Sequence, residues 1–250
     1  MFLFLPLIHL EQNSFNDALD KIRNVNPHKV ADAMVKRGFP SNMTKWYKNF
    51  HLNRKTIVEV KGVTCVRKLF LGTPQGGILS PLIWNIVIDE LLQDLANDPS
   101  DGSAYADDLC LLGFCQPKDL PQLKIQMQAS LQKCLDWGKR MGLTLSPEKS
   151  EFMVVHKTRK APDFPPFHIN GKPLNRVYHA KYLGVTIDSR LTWKKHIRDK
   201  LQKTKKIIMM TRSSLGRTWG PSPRLLRWTY MQCIRPILTY GCLVWAKGFR

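Results

Sequence analysis

An α+β fold is predicted by three features of the sequence: strand-like runs paired across short turns, apolar stripes at helical spacing between them, and enough apolar mass for a core. The tightest pairing is Ser103-Ala104-Tyr105-Ala106-Asp107-Asp108-Leu109-Cys110-Leu111-Leu112, where a small-residue turn carrying two adjacent carboxylates separates two runs. A chain of 250 residues that is 43% hydrophobic can bury a substantial core, as one domain with a helical appendage.

The elements follow in order. The run Phe2-Leu3-Phe4-Leu5-Pro6-Leu7-Ile8 reads as a strand. Residues 14–25 and 27–38 read as helices, the first capped by Ser14 and the second opened by Pro27, whose missing N–H costs little there. Gly38-Phe39-Pro40 stops the second, and Ser41 starts a third that runs through Trp46 and Phe50. Thr56–Val60 and Thr64–Leu71 form a hairpin about Gly62, ringed by Arg54, Lys55, Lys61, Arg67 and Lys68, which read equally as solvated edge lysines or as contacts to an anionic partner. Residues 72–81 form a glycine- and proline-rich loop entering a helix, with Ser80 at its N-cap and Pro81 at N1. Gly76 and Gly77 let backbone approach a ligand closely, and the adjacent helix start favours phosphate. The stripe Leu82, Ile83, Ile86, Val87 and Leu91 is core.

Asn97–Gly102 reads as a polar turn whose acids are solvated rather than metal ligands. A helix from Asp119 to Met141 carries Leu123, Met127, Leu131 and Leu135, ends at Gly142 and packs on the back of the sheet, with Trp137 in the core or an interface. Leu143–Leu145 and Glu151–Val155 are strands about the Ser146–Ser150 turn. Lys157–Pro166 is the candidate domain boundary. Asn170-Gly171 marks a type I′ hairpin, and Ala180–Asp188 is a further strand in which Gly184 is a bulge or a point of close approach. The last third is helical: Trp193, Ile197, Leu201 and Ile208 form an apolar stripe, and residues 223–246 form another helix kinked at Pro236.

Lys and Arg number 39 against 19 acids, a net charge of +20, which favours an anionic partner: nucleic acid first, an anionic membrane surface second. Residues 194–217 hold nine of these cations and one acid, whereas a merely solvated helix alternates signs, so phosphate is the favoured counter-charge. The six cysteines show no metal-ligand spacing and read as reduced, mostly buried thiols of an intracellular, non-secreted protein. The apolar start lacks the basic region and cleavage site of a signal peptide, and no run reaches the 18 or so apolar residues that span a bilayer.

Two neighbouring carboxylates repel, so the turn at Asp107-Asp108 favours a cation, and magnesium suits hard oxygen ligands shared with substrate phosphates. About 30 residues upstream lies Leu71-Gly72-Thr73-Pro74-Gln75-Gly76-Gly77-Ile78-Leu79-Ser80-Pro81-Leu82. Together the two motifs resemble the active-site motifs of reverse transcriptases, specifically those of non-LTR retrotransposons, over roughly residues 40 to 250. The resemblance implies a right-hand polymerase: partial fingers and an antiparallel palm backed by helices over 1–157, a connecting hairpin over 158–190, and a basic helical thumb over 191–250. It implies two Mg2+ ions on Asp107 and Asp108, with RNA template, DNA primer and dNTPs as partners and no membrane. Lys149, in a loop resembling the family's lysine after a proline, would serve the departing pyrophosphate; a surface lysine in a turn is the alternative. Gly72, Pro74, Gln75, Gly76 and Gly77, with Tyr105 and Ala106, would hold template and nucleotide. Tyr182, Leu183 and Gly184 would meet the primer's end, and Lys194, Lys195, Arg198, Lys203, Lys205 and Lys206 the nucleic-acid backbone. The site of action would be the nucleus for genomic DNA and the cytoplasm otherwise.

One part of the pattern departs. The resemblance implies another catalytic Asp at a strand end within residues 1–12, where the sequence has Pro6, Leu7 and Ile8, and Glu11 is the nearest carboxylate. A chain that begins inside a longer polymerase accounts for this, as does a remnant that only binds nucleic acid. A basic structural or membrane-surface protein rests on composition alone. No endonuclease motif is visible.

Overall fold

The computed structural model describes residues 2–11, 26–69, 77–106, 108–158, 161–216 and 219–246, so the helix expected over 14–25 lies outside the described residues. The chain divides into two compact units, 1–154 with 158–176, and 155–157 with 177–250.

The first unit is built on a sheet. Its strands are β1 (Phe2–Glu11), β4 (Ser100–Tyr105), β5 (Asp108–Cys115), β6 (Thr144–Leu145), β7 (Glu151–Val155) and β10 (Asn175–Arg176), in the order β10-β7-β1-β5-β4 with β6 alongside β1. The apolar first strand is therefore central, and it runs antiparallel to β5 with Leu7 opposite Cys110 and His9 opposite Asp108. Two helices cover the sheet: α3 (Ser80–Leu95), through Ile83, Val87, Leu91 and Leu95, and α4 (Leu120–Met141), through Leu123, Met127, Leu131 and Leu135. Their approach requires glycine. A Cβ on Gly113 would stand 2.5 Å from Met127 Sδ, and one on Gly102 would stand 2.9 Å from Leu95 Cδ1. Gly142 ends α4 in the left-handed region, as its sequence predicts. Preceding α3 are α1 (Pro27–Lys36), capped by the Asn26 side chain on the His28 N–H, and α2 (Ser41–Leu52). The ribbon β2 (Arg54–Val60) and β3 (Val63–Leu69) turns at Lys61-Gly62, both at positive φ, and bares Ile57, Val63 and Val66 to solvent. The hairpin β8 (His168–Ile169) with β9 (Lys172–Pro173) turns at Asn170-Gly171 as expected.

Several local expectations change. Ser80 does not cap α3; it is the first helical residue, and Leu79 precedes it without a side-chain bond. The polar turn before the hairpin is shorter than expected, because Asp101 and Gly102 already belong to β4. Asp98 is not solvated: Lys133 pairs with it and the Ser130 hydroxyl donates to it at 2.8 Å, while Ser100 donates to Ser130 at 2.8 Å. All six cysteines are free thiols. Only Cys110 and Cys134 are buried, burial pushing each thiol up to about 12, and Cys65 on the ribbon is exposed.

In the second unit the single strand expected over 180–188 is a hairpin, β11 (His179–Tyr182) and β12 (Val185–Asp188), turning at Leu183-Gly184 with φ of +46° and +78°. It leads into α5 (Lys194–Ser213). The expected apolar stripe is not the buried side of α5: Leu201 and Ile208 are each 47% exposed, and its buried residues are His196 and Thr204. The last expected helix breaks into α6 (Pro223–Thr229), a wide turn over Tyr230–Ile234, α7 (Arg235–Thr239) and α8 (Cys242–Trp245), so the irregularity precedes Pro236 and recurs at Gly241. No helix among the described residues is long and apolar enough to cross a membrane.

Asp188 organises the entry to α5. Its Oδ1 accepts from the N–H groups of Arg190 (3.1 Å) and Thr192 (3.0 Å), and its Oδ2 from Trp193 N–H (2.6 Å). These bonds hold Leu191 and Trp193 at φ of +52° and +60°, unusual for residues with side chains. Burial alone would raise the Asp188 carboxyl, but the bonds from Thr192, Trp193 and Arg190 outweigh it and hold it below the usual range. Asp188→Ala is expected to cost about 2–3 kcal/mol in urea unfolding at neutral pH, since several buried donors lose their acceptor. A depressed carboxyl contributes fully above its unfolded value and loses that contribution as pH falls through its folded value. The difference between the wild type and Asp188→Ala therefore narrows on acidification below about pH 4.

Candidate functional site

The β4–β5 register pairs Tyr105 with Asp108, leaving residues 106 and 107 as a two-residue tip. Ala106 takes φ +51° and is exposed, Tyr105 is exposed, and Asp108 is half-buried. Asp107 lies outside the described residues, as do Gly72, Pro74, Gln75 and Gly76. The tip is tied to α3: Trp84, 5% exposed, donates its indole N–H to the Ala106 carbonyl at 2.6 Å. Four residues earlier, the N–H of Ser80 donates to the carbonyl of Gly77 at 3.0 Å. Ser80 and Trp84 are one helical turn apart, about 6 Å of rise. The hairpin tip and the end of the glycine-rich loop thus attach within the first two turns of α3. No role for Trp84 is legible in the sequence, because the apolar stripe of α3 absorbs it. Gly77, Ile78 and Leu79 also line a small apolar cavity of about 230 Å³ with Trp46 and Phe50, whose rings stack at 5.5 Å and 12°.

The strand expected to carry another carboxylate does form, and its rungs can be read. Ile8 lies opposite Leu109 and His9 opposite Asp108, while Leu10 pairs on its other side with Leu145. Glu11, paired with Thr144, is the one acid on the strand. Leu145 leads into the turn bearing Lys149, which begins about two strand spacings, roughly 10 Å, from β5. Lys149 is exposed, and its N–H donates to Ser146 Oγ at 3.4 Å; its neighbour Glu148 pairs with Lys172 at 2.9 Å. Among the described residues no three His, Cys, Asp or Glu side chains gather where they could share a metal ion. The donor set the sequence offers at the tip is Asp107 with Asp108, hard oxygens suited to a divalent cation.

In the second unit Tyr182, Leu183 and Gly184 form the turn of their hairpin. The predicted basic residues wrap around α5 rather than forming one row. Lys203 and Lys206 line a cavity of about 270 Å³ with Lys181, Lys200 and the single carboxylate Asp199. Lys194, Arg198 and Lys205 line a wider groove with Ile197 and Leu201, and Lys195 pairs with Asp199 at 3.5 Å. Sequence reasoning missed Lys181, whereas Lys200 belongs to the basic run read over 194–217. Burial lowers the affinity of Lys200 for its proton, and the charges of Lys203 and Lys181 lower it further. Burial and then the Lys200 charge lower the affinity of His196 for a proton; its Nδ1 accepts from Thr186 N–H at 3.1 Å. Four lysines around one cavity with one acid leave a positive concavity suited to an oxyanion.

Trp84→Phe keeps an aromatic ring, removes the donor to Ala106 and gives up part of the buried volume. It is expected to cost about 1 kcal/mol in urea unfolding and to speed amide exchange selectively in residues 103–110.

Comparison with known proteins draws these parts together. The family described as reverse transcriptase (RNA-dependent DNA polymerase) matches residues 17–187. The chain is 28% identical over 227 residues to the "Probable RNA-directed DNA polymerase from transposon BS" of Drosophila melanogaster, covering 87% of this chain and 24% of that protein. It is 30% identical over 200 residues to the 115 kDa protein in the type-1 retrotransposable element R1DM of the same organism, covering 80% of this chain and 19% of the relative. It is 26% identical over 180 residues to a Pol polyprotein of the type-1 element R1 of Bradysia coprophila, covering 72% and 18% respectively. The chain therefore spans a quarter or less of the length of these relatives. The acidic hairpin, the glycine-rich loop and the family match over most of the sequence lead to one assignment: this chain belongs to the reverse transcriptase family, as a reverse transcriptase domain of the non-LTR retrotransposon type.

Proposed function

We propose that the chain is part of an RNA-directed DNA polymerase that adds dNTPs to a primer 3′-hydroxyl, with residues 1–157 as partial fingers and palm, 158–190 as a connection and 191–250 as a thumb. The observation that carries this reading is the acidic tip held by Trp84 on the helix that starts beside Gly77. In this reading Asp107 and Asp108 hold two Mg2+ ions. Bound there, the ions supply the charge that acidifies the primer hydroxyl and stabilises the leaving pyrophosphate. The chain's own residues orient the reactants. Gly72, Pro74, Gln75, Gly76 and Gly77, with Tyr105 and Ala106, bind template and nucleotide, Lys149 donates to the departing phosphate, and the turn at Tyr182, Leu183 and Gly184 meets the primer's end. Lys194, Lys195, Arg198, Lys203, Lys205 and Lys206, joined by Lys181 and Lys200, neutralise backbone phosphates.

A second reading is favoured by the register of β1. The rung opposite Asp108 carries His9, and no acid precedes Glu11 on that strand. A two-carboxylate site lacks one ligand of a shared metal pair, and the chain then binds nucleic acid without extending it.

Primer extension on an RNA template with Mg2+ separates the two. Under the first reading the wild type incorporates dNTPs, and Asp107→Asn with Asp108→Asn lowers incorporation at least a hundredfold, several kcal/mol of transition-state stabilisation. Incorporation that persists in the double variant sinks it. Under the second, primer–template binds without incorporation, and His9→Asp, which restores an acid opposite Asp108, brings incorporation up. In both readings Lys203→Ala with Lys206→Ala flattens the slope of log Kd against log salt by about 2, checked by fluorescence anisotropy.

A further inference from the structure

The family match ends at residue 187, yet a residue 53 positions later holds the Leu183-Gly184 turn. The Tyr240 hydroxyl donates to the Leu183 carbonyl at 2.7 Å. The same ring closes over Gly184, where an added Cβ would meet Cε1 at 3.0 Å and the hydroxyl oxygen at 3.2 Å. Next to it, Gly241 packs on Val185, its position for a Cβ lying 2.9 Å from Val185 Cγ2. Two consecutive residues of the C-terminal segment therefore grip three consecutive residues of the turn. The tyrosine is itself fixed: Trp245 Nε1 donates to its carbonyl at 2.9 Å, and the Lys200 ammonium stands 4.6 Å from its ring centroid.

The gripped backbone needs such support. Leu183 sits at φ +46°, where a residue with a side chain is strained, and it is followed directly by a glycine at +78°. A turn of this kind keeps one geometry only when its surroundings over-determine it. The hydroxyl bond to the carbonyl between Leu183 and Gly184 does this.

We infer that Tyr240 is a positioning residue for the polymerase, acting through the Tyr182-Leu183-Gly184 turn by fixing the Leu183 carbonyl and the backbone path over Gly184. The inference rests on the reading above, in which that turn meets the primer's end. Tyr240 touches no reacting atom; it sets where the turn's backbone lies when primer–template arrives.

Tyr240→Phe is the test, because it keeps the ring over Gly184 and under Lys200 and removes only the hydroxyl. The 250-residue chain is assayed with a primer–template duplex and dNTPs, and amide exchange is followed in parallel. In Tyr240→Phe the KM for primer–template rises about fivefold, the size of one hydrogen bond, while kcat stays within twofold. Exchange at residues 183–185 quickens by a similar factor, and the melting temperature stays close to that of the wild type. Tyr240→Ala, losing ring and hydroxyl, raises KM further. A Tyr240→Phe variant with wild-type KM and wild-type exchange overturns the inference, and so does one whose kcat and melting temperature fall together at unchanged KM. A wild-type chain that fails to bind primer–template overturns instead the polymerase reading beneath it, while a wild type that extends beside an unaltered Tyr240→Phe removes the tyrosine's role alone.

Discussion

The hydrogen bond from the Trp84 indole to the Ala106 carbonyl is the constraint that ties the hairpin tip of the first unit to α3. The adjacent acids that the sequence places at this hairpin repel, and Ala106 sits at positive φ with a side chain attached. Such a tip needs an external anchor. A buried indole supplies a donor whose position is set by core packing, so the carbonyl it binds inherits the rigidity of α3. Because Ser80 at the start of that helix also binds the Gly77 carbonyl, one rigid element holds both Gly77 and Ala106.

How much of this was legible depends on the range of the interactions. Helices α3 and α4 and the turns at Lys61-Gly62 and Asn170-Gly171 were readable, because spacing and turn residues act within a few positions. The central place of β1 was not, since its partner lies about a hundred residues on, and local sequence does not encode pairing. The β11–β12 turn was hidden for another reason. Leu183 carries no turn signal, and the alternating run from Ala180 to Asp188 reads straight through it. The acidic tip was visible as a motif, but its anchor was not, because Trp84 and likewise Tyr240 bind backbone carbonyls far along the chain. A carbonyl leaves no trace in the identity of the residue that owns it.

Helix α5 shows a pattern overridden by its setting. Its apolar stripe of Ile197, Leu201 and Ile208 reads as the packed side, yet His196 and Thr204 are the buried residues, with Lys200 between them in the same row. What this unit offers α5 is a backbone N–H at Thr186, which takes His196, and an aromatic face at Tyr240, which takes Lys200; the buried Thr204 hydroxyl has no partner among the described residues. Amphipathicity predicts burial only when the opposing surface is apolar. The cost of a buried imidazole is reduced by the bond at Nδ1.

The uneven placement of the thiols has a practical consequence for chemistry on this molecule. Cys110 and Cys134 are sealed in the sheet and helix layer with little thiolate at neutral pH, whereas Cys65 stands in solvent on the β2–β3 ribbon. A maleimide dye applied briefly to the folded chain will attach at Cys65 well before either core thiol. Cys115, Cys233 and Cys242 are half-buried free thiols, so a ribbon-only label requires replacing these three first.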